Sequence, residues 1–177
     1  MKTWIALFRG INVGGNNPLP MKQLVALLED AGCRDVRTYI QSGNAVLRSP
    51  LADAARLTTR IRSAVAACCG FESQVMILGH KELARAAAAN PFAEAAASPK
   101  SVHLYFLAER PRRPDFESLD RVKAASESYA LKGKVLYLHT PDGLGTSKLA
   151  ARIERDLGVA ATARNWRTVT ALLELAK

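Results

Sequence analysis

The residues in this chain best suited to chemistry are arginines, lysines and side-chain amides set in turn-forming stretches. Residues 9–17 read RGINVGGNN. Gly14-Gly15 permits positive φ and close backbone approach. Arg9 brings charge, and Asn12, Asn16 and Asn17 bring amides. The stretch follows an apolar run and precedes a helix, the position of phosphate-binding loops. It matches neither G-x-G-x-x-G nor the P-loop, because Asn16-Asn17 replace Lys and Ser/Thr. A long turn needing glycine for geometry alone is the equal alternative. In PDGLGTSKLAARI, Thr146 is placed to cap a helix whose first turn holds Ser147 and Lys148. A cation there opposes the helix dipole, which an anionic ligand would reverse. A capped helix with a solvated lysine is the simpler alternative.

In TARNWRT, Arg164 and Arg167 flank Asn165 and Trp166 at an expected helix start, with no acid between Asp156 and Glu174. Guanidinium forks suit phosphate or carboxylate. The alternative is Trp166 as a core plug with the arginines outside. Gln41-Ser42-Gly43-Asn44 puts amides at a hairpin tip, where turn chemistry accounts for them equally well. Arg48, Arg56, Arg60 and Arg62 form a modest basic group, read as a solvated face.

Catalytic sets are missing. His80, His103 and His139 have no metal-ligand spacing, and there is no G-x-S-x-G, H-E-x-x-H or C-x-x-C. No residue is singled out as a partner for Cys33, and the acids form no paired motif. The residues call for no metal or cofactor and leave open whether the protein is an enzyme.

The elements that must position these residues follow from periodicity and punctuation. Residues 3–9 read as a central strand, apolar on both faces. A helix follows Pro20 and ends at Gly32. Strands 35–40 and 44–48 join through Ser42-Gly43. A helix covers 53–69 and a strand 73–78. After a helix at 80–89 and a boundary near Asn90-Pro91, the order restarts. It runs through a strand 101–108, a helix 115–126, a hairpin 127–131 and 134–139, a helix 147–157, an extended piece 159–163 and a helix 165–176. The fold class is α+β, a tandem duplication of two ferredoxin-like β-α-β-β-α-β units. The first unit is 1–80, a connecting helix and linker occupy 81–100, and the second unit with an extra C-terminal helix is 101–177. His103 and Tyr105, and Val135, Tyr137 and His139, leave semi-apolar second sheet faces able to line a shared cleft.

The chain has 177 residues, 49% hydrophobic and 23% charged, which suits a globular protein that needs no disulfides for its core. Its net charge of +9 favours anionic partners. The charge is spread, with no basic tail. Three cysteines, Cys33, Cys68 and Cys69, fit a reducing, cytoplasmic setting. No apolar stretch is long enough to span a membrane, and no signal peptide is expected.

Five blocks, ALFRGINVGGNN (6–17), VRTYIQSGNAV (36–46), NPF (90–92), LYLHTPDGLGTSKLA (136–150) and TARNWRTVTALL (162–173), make the chain resemble the bacterial family called domain of unknown function 1697 over nearly its whole length. That resemblance implies a duplicated ferredoxin-like α+β fold and no assigned activity. It also implies that Arg9, Asn12, Gly14, Gly15, Gln41, Asn44, Ser147, Lys148, Arg164, Asn165 and Arg167 border one polar cleft, since packing alone does not call for such residue types. The expected function is binding of an anionic small molecule, nucleotide or nucleic acid between the two halves. An enzyme (phosphotransferase or hydrolase) acting on a phosphorylated substrate and a protein-interaction module are the alternatives.

Overall fold

The computed structural model describes residues 1–177, which divide into two compact units. Unit 1 is Met1–Arg85 with Thr170–Lys177, and unit 2 is Ala86–Val169. The first run of elements is β1 (Lys2–Arg9), α1 (Met21–Asp30), β2 (Arg34–Tyr39), β3 (Asn44–Ser49), α2 (Ala54–Cys69) and β4 (Gln74–Gly79). Next come α3 (His80–Ala88), then β5 (Val102–Leu107), α4 (Phe116–Val122), β6 (Ser128–Lys132), β7 (Val135–His139), α5 (Ile153–Leu157), β8 (Ala161–Asn165) and α6 (Trp166–Leu175). The architecture is α+β. Its two four-stranded sheets have orders β2-β3-β1-β4 and β6-β7-β5-β8, and every neighbouring pair is antiparallel. The two halves are therefore similar in element order and in sheet order. A shared detail reinforces this. Residues near the ends of the two central strands donate to the adjoining hairpins, Phe8 N to Gly43 O at 2.8 Å and Leu107 N to Lys134 O at 2.9 Å.

Local chemistry explains the clearest elements. The α2 helix starts where Asp53 accepts a hydrogen bond from Arg56 N at 2.9 Å and ends at Gly70 in the left-handed region. Between these caps Leu57, Ile61 and Val65 recur at four-residue spacing and are buried. They meet Trp4, Ala6 and Phe8 of β1 and Ala45 and Leu47 of β3 in the core of unit 1. The alternate residues Ile5 and Leu7 are buried as well, so β1 is covered on both faces. In unit 2, Tyr105, Leu107, Leu136 and Leu138 pack with Leu119, Leu149, Ile153 and Leu157.

The structure corrects four expectations. The helix expected over 147–157 is broken: a 3-10 turn covers Ala150–Arg152, and α5 keeps five residues. The Ser147 hydroxyl accepts from Ala150 N at 2.9 Å as a cap, and Arg152 N bonds Leu149 O at 3.0 Å in the tighter 3-10 pattern. The helix expected over 115–126 stops at Val122, and Lys123 turns extended. The extended piece placed at 159–163 is the full strand β8, so Arg164 and Asn165 lie on a sheet. Finally, His103 and Tyr105 stand opposite Leu138 and Leu136, on the helix-covered face, whereas Val135, Tyr137 and His139 share the other face with Leu104 and Phe106. The two sets therefore do not form one surface. Of the thiols, Cys33 is buried, Cys69 half-buried and Cys68 exposed, and all are free. Among the described residues no helix is long and apolar enough to cross a membrane.

Candidate functional site

In unit 1 the sequence-selected residues gather at one end of the sheet, where β1 ends and β3 begins. Residues 10–17 form a small hairpin of their own. Asn12 N donates to Asn17 O and Asn16 N to Val13 O, so Gly14 (φ 57°) and Gly15 (φ 78°) take the two left-handed positions of a tight turn. A Cβ at either glycine would meet nothing within 4 Å. The glycines therefore serve the turn and allow no close approach to the fold. The helix α1 starts only at Met21, after Pro20, which gives no side-chain cap. The loop is thus a projecting hairpin and not a phosphate loop leading into a helix.

Asn12 locks that hairpin to its neighbour. Its amide nitrogen donates to Leu19 O at 2.9 Å and Gln41 O at 2.8 Å, and its Oδ1 accepts from Leu19 N at 2.7 Å. Ile11 and Leu19 are buried on either side. Asn44 is fully buried and donates to Tyr39 O and Ser42 Oγ, closing the β2–β3 turn. Gly43 is held against the same loop: a Cβ there would lie 2.7 Å from Ile11 Cδ1 and 2.8 Å from Phe8 Cβ. Arg9 donates to Gln74 Oε1 at 3.2 Å. Asn12, Gln41 and Asn44 are thereby brought together, with the amides of Asn12 and Asn44 engaged by the chain itself, while the Arg9 side chain reaches toward β4. Gly14 and Gly15 project into solvent.

In unit 2, β8 carries Arg164 opposite Leu104, and Asn165 opposite His103. The Asn165 side chain accepts from Thr168 N at 2.9 Å and caps α6. Arg164 is nine-tenths buried, which pulls its pKa down to about 10 and leaves it cationic at neutral pH. Its Nη1 donates to Ala163 O at 2.8 Å. Arg167 and Lys148 are exposed. Ser147 is buried and spent on its own turn. Leu149 packs with Leu136 and Leu138, whereas Arg164 lies on the opposite face with Leu104. The Ser147–Lys148 turn and Arg164 are therefore separated by the sheet, although both lie toward the end where β7 and β8 finish. The unit 1 group lies at the other topological end of its own sheet, where β1 finishes and β3 starts. His103 is buried, its Nδ1 finds no hydrogen-bond partner, and burial lowers its pKa to about 4.

Two features escape the sequence reading. An open groove of about 620 Å³ runs between α1 and α2, bordered by Gln23, Asp30, Arg60 and Cys68, and none of the sequence-selected residues lines it. On unit 1, Arg34 faces Arg48 directly across the β2–β3 ladder, while Arg37 and Tyr39 follow on the same face opposite Val46 and Asn44. The signal was available in the alternation of RTY once the Ser42-Gly43 turn set the register. Among the described residues no group of three His, Cys, Asp or Glu side chains is placed to hold a metal ion.

A family model described as "Protein of unknown function (DUF1697)" matches residues 1–137. The chain belongs to this family. The LYLHTPDGLGTSKLA and TARNWRTVTALL blocks lie almost wholly beyond the DUF1697 match. The chain is also similar to the solved structure of a conserved bacterial protein from Streptococcus pneumoniae, with 21% identity and a TM-score of 0.68 over 99% of this chain and 98% of that one. At that identity the likeness speaks for the DUF1697 protein's fold alone. No curated protein matches the sequence.

Proposed function

We propose that the protein binds an anionic, phosphate-bearing ligand. The observation that carries this reading is the Arg164 guanidinium, nine-tenths buried in β8 and continued by Asn165 and the exposed Arg167. A guanidinium fork matches an oxyanion in both shape and charge. Lys148 adds an exposed charge from the turn before α5. We read Arg9 and Gln41, with the solvent-facing backbone of Gly14 and Gly15, as a second anion-facing surface held in place by Asn12 and the buried Asn44. Its support is the rigid bracing by Asn12 beside a cation.

The element order and the strand order β2-β3-β1-β4, repeated as β6-β7-β5-β8, support a ferredoxin-like assignment for each unit. The free thiols of Cys33, Cys68 and Cys69 support a reducing, cytoplasmic setting.

Calorimetric titration with ATP and with pyrophosphate at low salt tests the ligand reading. The exposed pair Lys148→Ala and Arg167→Ala should weaken binding at least about tenfold, since a hydrogen bond to a charged group contributes roughly 1.5–3 kcal/mol. Arg164→Lys should weaken it further by losing the fork while keeping the charge. Failure of the wild type to bind either anion, or unchanged affinity in these variants, would overturn the reading.

A further inference from the structure

The outer row of β2 and the end of β3 gather three arginines on one face of the sheet. Arg34 and Arg48 are directly opposed on the β2–β3 ladder, and both are exposed. Like charges placed opposite each other destabilise a strand pair. Arg37 follows on the same face opposite Val46, and Tyr39 opposite Asn44. Val36 packs into the core of unit 1, as do Ala45 and Leu47 on the neighbouring strand, so the arginines and Tyr39 occupy the face turned away from α1 and α2. A backbone irregularity falls between Arg34 and Arg37, with Asp35 at φ 52°. This bulge returns Arg34 to the side of Arg37, where strict alternation would have sent it to the core.

The row thus reads, along one edge strand, as an arginine pair, an arginine and an aromatic ring. The step from Arg37 to Tyr39 is roughly 6.8 Å, twice the rise of an antiparallel strand, and Arg34 lies beyond the bulge. A carboxylate sits beside it: Asp35 reaches Arg48 Nη1 at 3.3 Å, a pair that is exposed on both sides and therefore weak. Arg34 and Arg37 are exposed.

We propose that this edge is a binding surface for single-stranded nucleic acid. The arginines track successive phosphates, and Tyr39 offers its ring to a base. An extended, singly charged repeat with exposed π-faces fits a row of cations along one strand edge ended by a half-buried aromatic side chain. A duplex hides its bases and presents two phosphate ribbons across a groove, which a single strand edge does not follow. The surface lies on residues distinct from Arg164, Arg167 and Lys148, and borders the unit 1 group only where Tyr39 pairs with Asn44.

The test is fluorescence anisotropy of the full chain with a labelled twelve-nucleotide oligo-dT, and with a labelled duplex of equal length, at 50 and 200 mM salt. The oligo-dT should bind the more tightly. The triple variant R34Q/R37Q/R48Q should lower the log–log salt slope by about 2, at roughly 0.7 per lost phosphate contact. Tyr39→Leu should weaken binding at least about fivefold with the slope unchanged, the signature of lost stacking. Should the triple variant melt early, R34Q/R37Q alone changes two exposed side chains and should still lower the slope by about 1.4. Lys148→Ala with Arg167→Ala should leave oligonucleotide binding intact, which separates this surface from the small-anion one. No binding at 50 mM salt, tighter binding of the duplex, or an unchanged slope in the arginine variants would overturn the proposal.

Discussion

Gly43→Ala is the sharpest test of how the two loops of unit 1 are fastened. The residue sits at φ 81°, and an added methyl would fall 2.7 Å from Ile11 Cδ1, 2.9 Å from Ile11 Cγ1 and 2.8 Å from Phe8 Cβ. Two costs therefore add. The left-handed conformation costs an L-residue about 1–2 kcal/mol. Forcing a methyl into a packed site costs about 1–3 kcal/mol, because Phe8 and Ile11 are both buried and cannot swing away. The sum is about 2–5 kcal/mol. Gly133, in the corresponding β6–β7 turn, supplies the control. It has φ 62° and nothing within 4 Å, so Gly133→Ala should cost only the backbone share of about 1–2 kcal/mol. Urea unfolding in a Trp166→Phe background would follow Trp4, which lies in the same core as Phe8 and Ile11. For Gly133→Ala the second tryptophan is retained and Trp4 replaced, so that each variant is read from its own unit. Equal destabilisation by the two substitutions, within about 0.5 kcal/mol, would refute the close-packing argument.

Asn12→Ala removes three hydrogen bonds at once and leaves Leu19 N without its acceptor. The expected loss is about 2–3 kcal/mol, with amide exchange accelerating across residues 10–20 by mass spectrometry. Asp53→Ala should cost about 1 kcal/mol of α2 stability, measurable as a lower melting temperature. His103 carries a pH signature. Its folded pKa lies below its ordinary value, so the unfolded chain takes up the proton first. Stability should be unaffected above pH 6.5, fall as the pH drops toward 4, and level off there after losing about 3 kcal/mol, at 1.36 kcal/mol per pKa unit. His103→Leu should flatten that slope in urea titrations at pH 4–7. An unchanged slope would show that other groups carry it.

What could be read from the sequence follows from how each signal is made. The ends of α2 were readable because Asp53 and Gly70 are local devices, a side-chain cap and a left-handed glycine. The β2–β3 hairpin was readable from Ser42-Gly43. The strand β8 was less so, because ATARN lacks β-branched weight and owes its pairing to β5, a distant partner. The helix expected over 147–157 opens as a 3-10 turn, in which Arg152 N bonds Leu149 O, and no hydrophobic period records that choice. The polar residues show the same limit. Asn12, Asn44 and Asn165 look like ligand-binding amides, yet each is engaged with the backbone of its own turn or cap. Amides that hold a loop and amides that hold a ligand are the same residues on paper. The arginine row on β2 needed the register, which no single stretch contains.

The buried Tyr137 has a consequence for cutting the protein into working pieces. Its hydroxyl donates to Ala86 O at 2.7 Å, and Lys132 Nζ reaches Ala89 O, also at 2.7 Å. Two side chains of the second sheet thus take up carbonyls at the closing turn of α3. A fragment begun at Ser101, where the second sheet starts, would strand a phenol that is 1% exposed with nothing to donate to. The same fragment begun before Ala86 keeps both acceptors. The segment ahead of β5 therefore behaves as a foundation of the second half, and expression boundaries, proteolytic nicks and domain grafts should respect it.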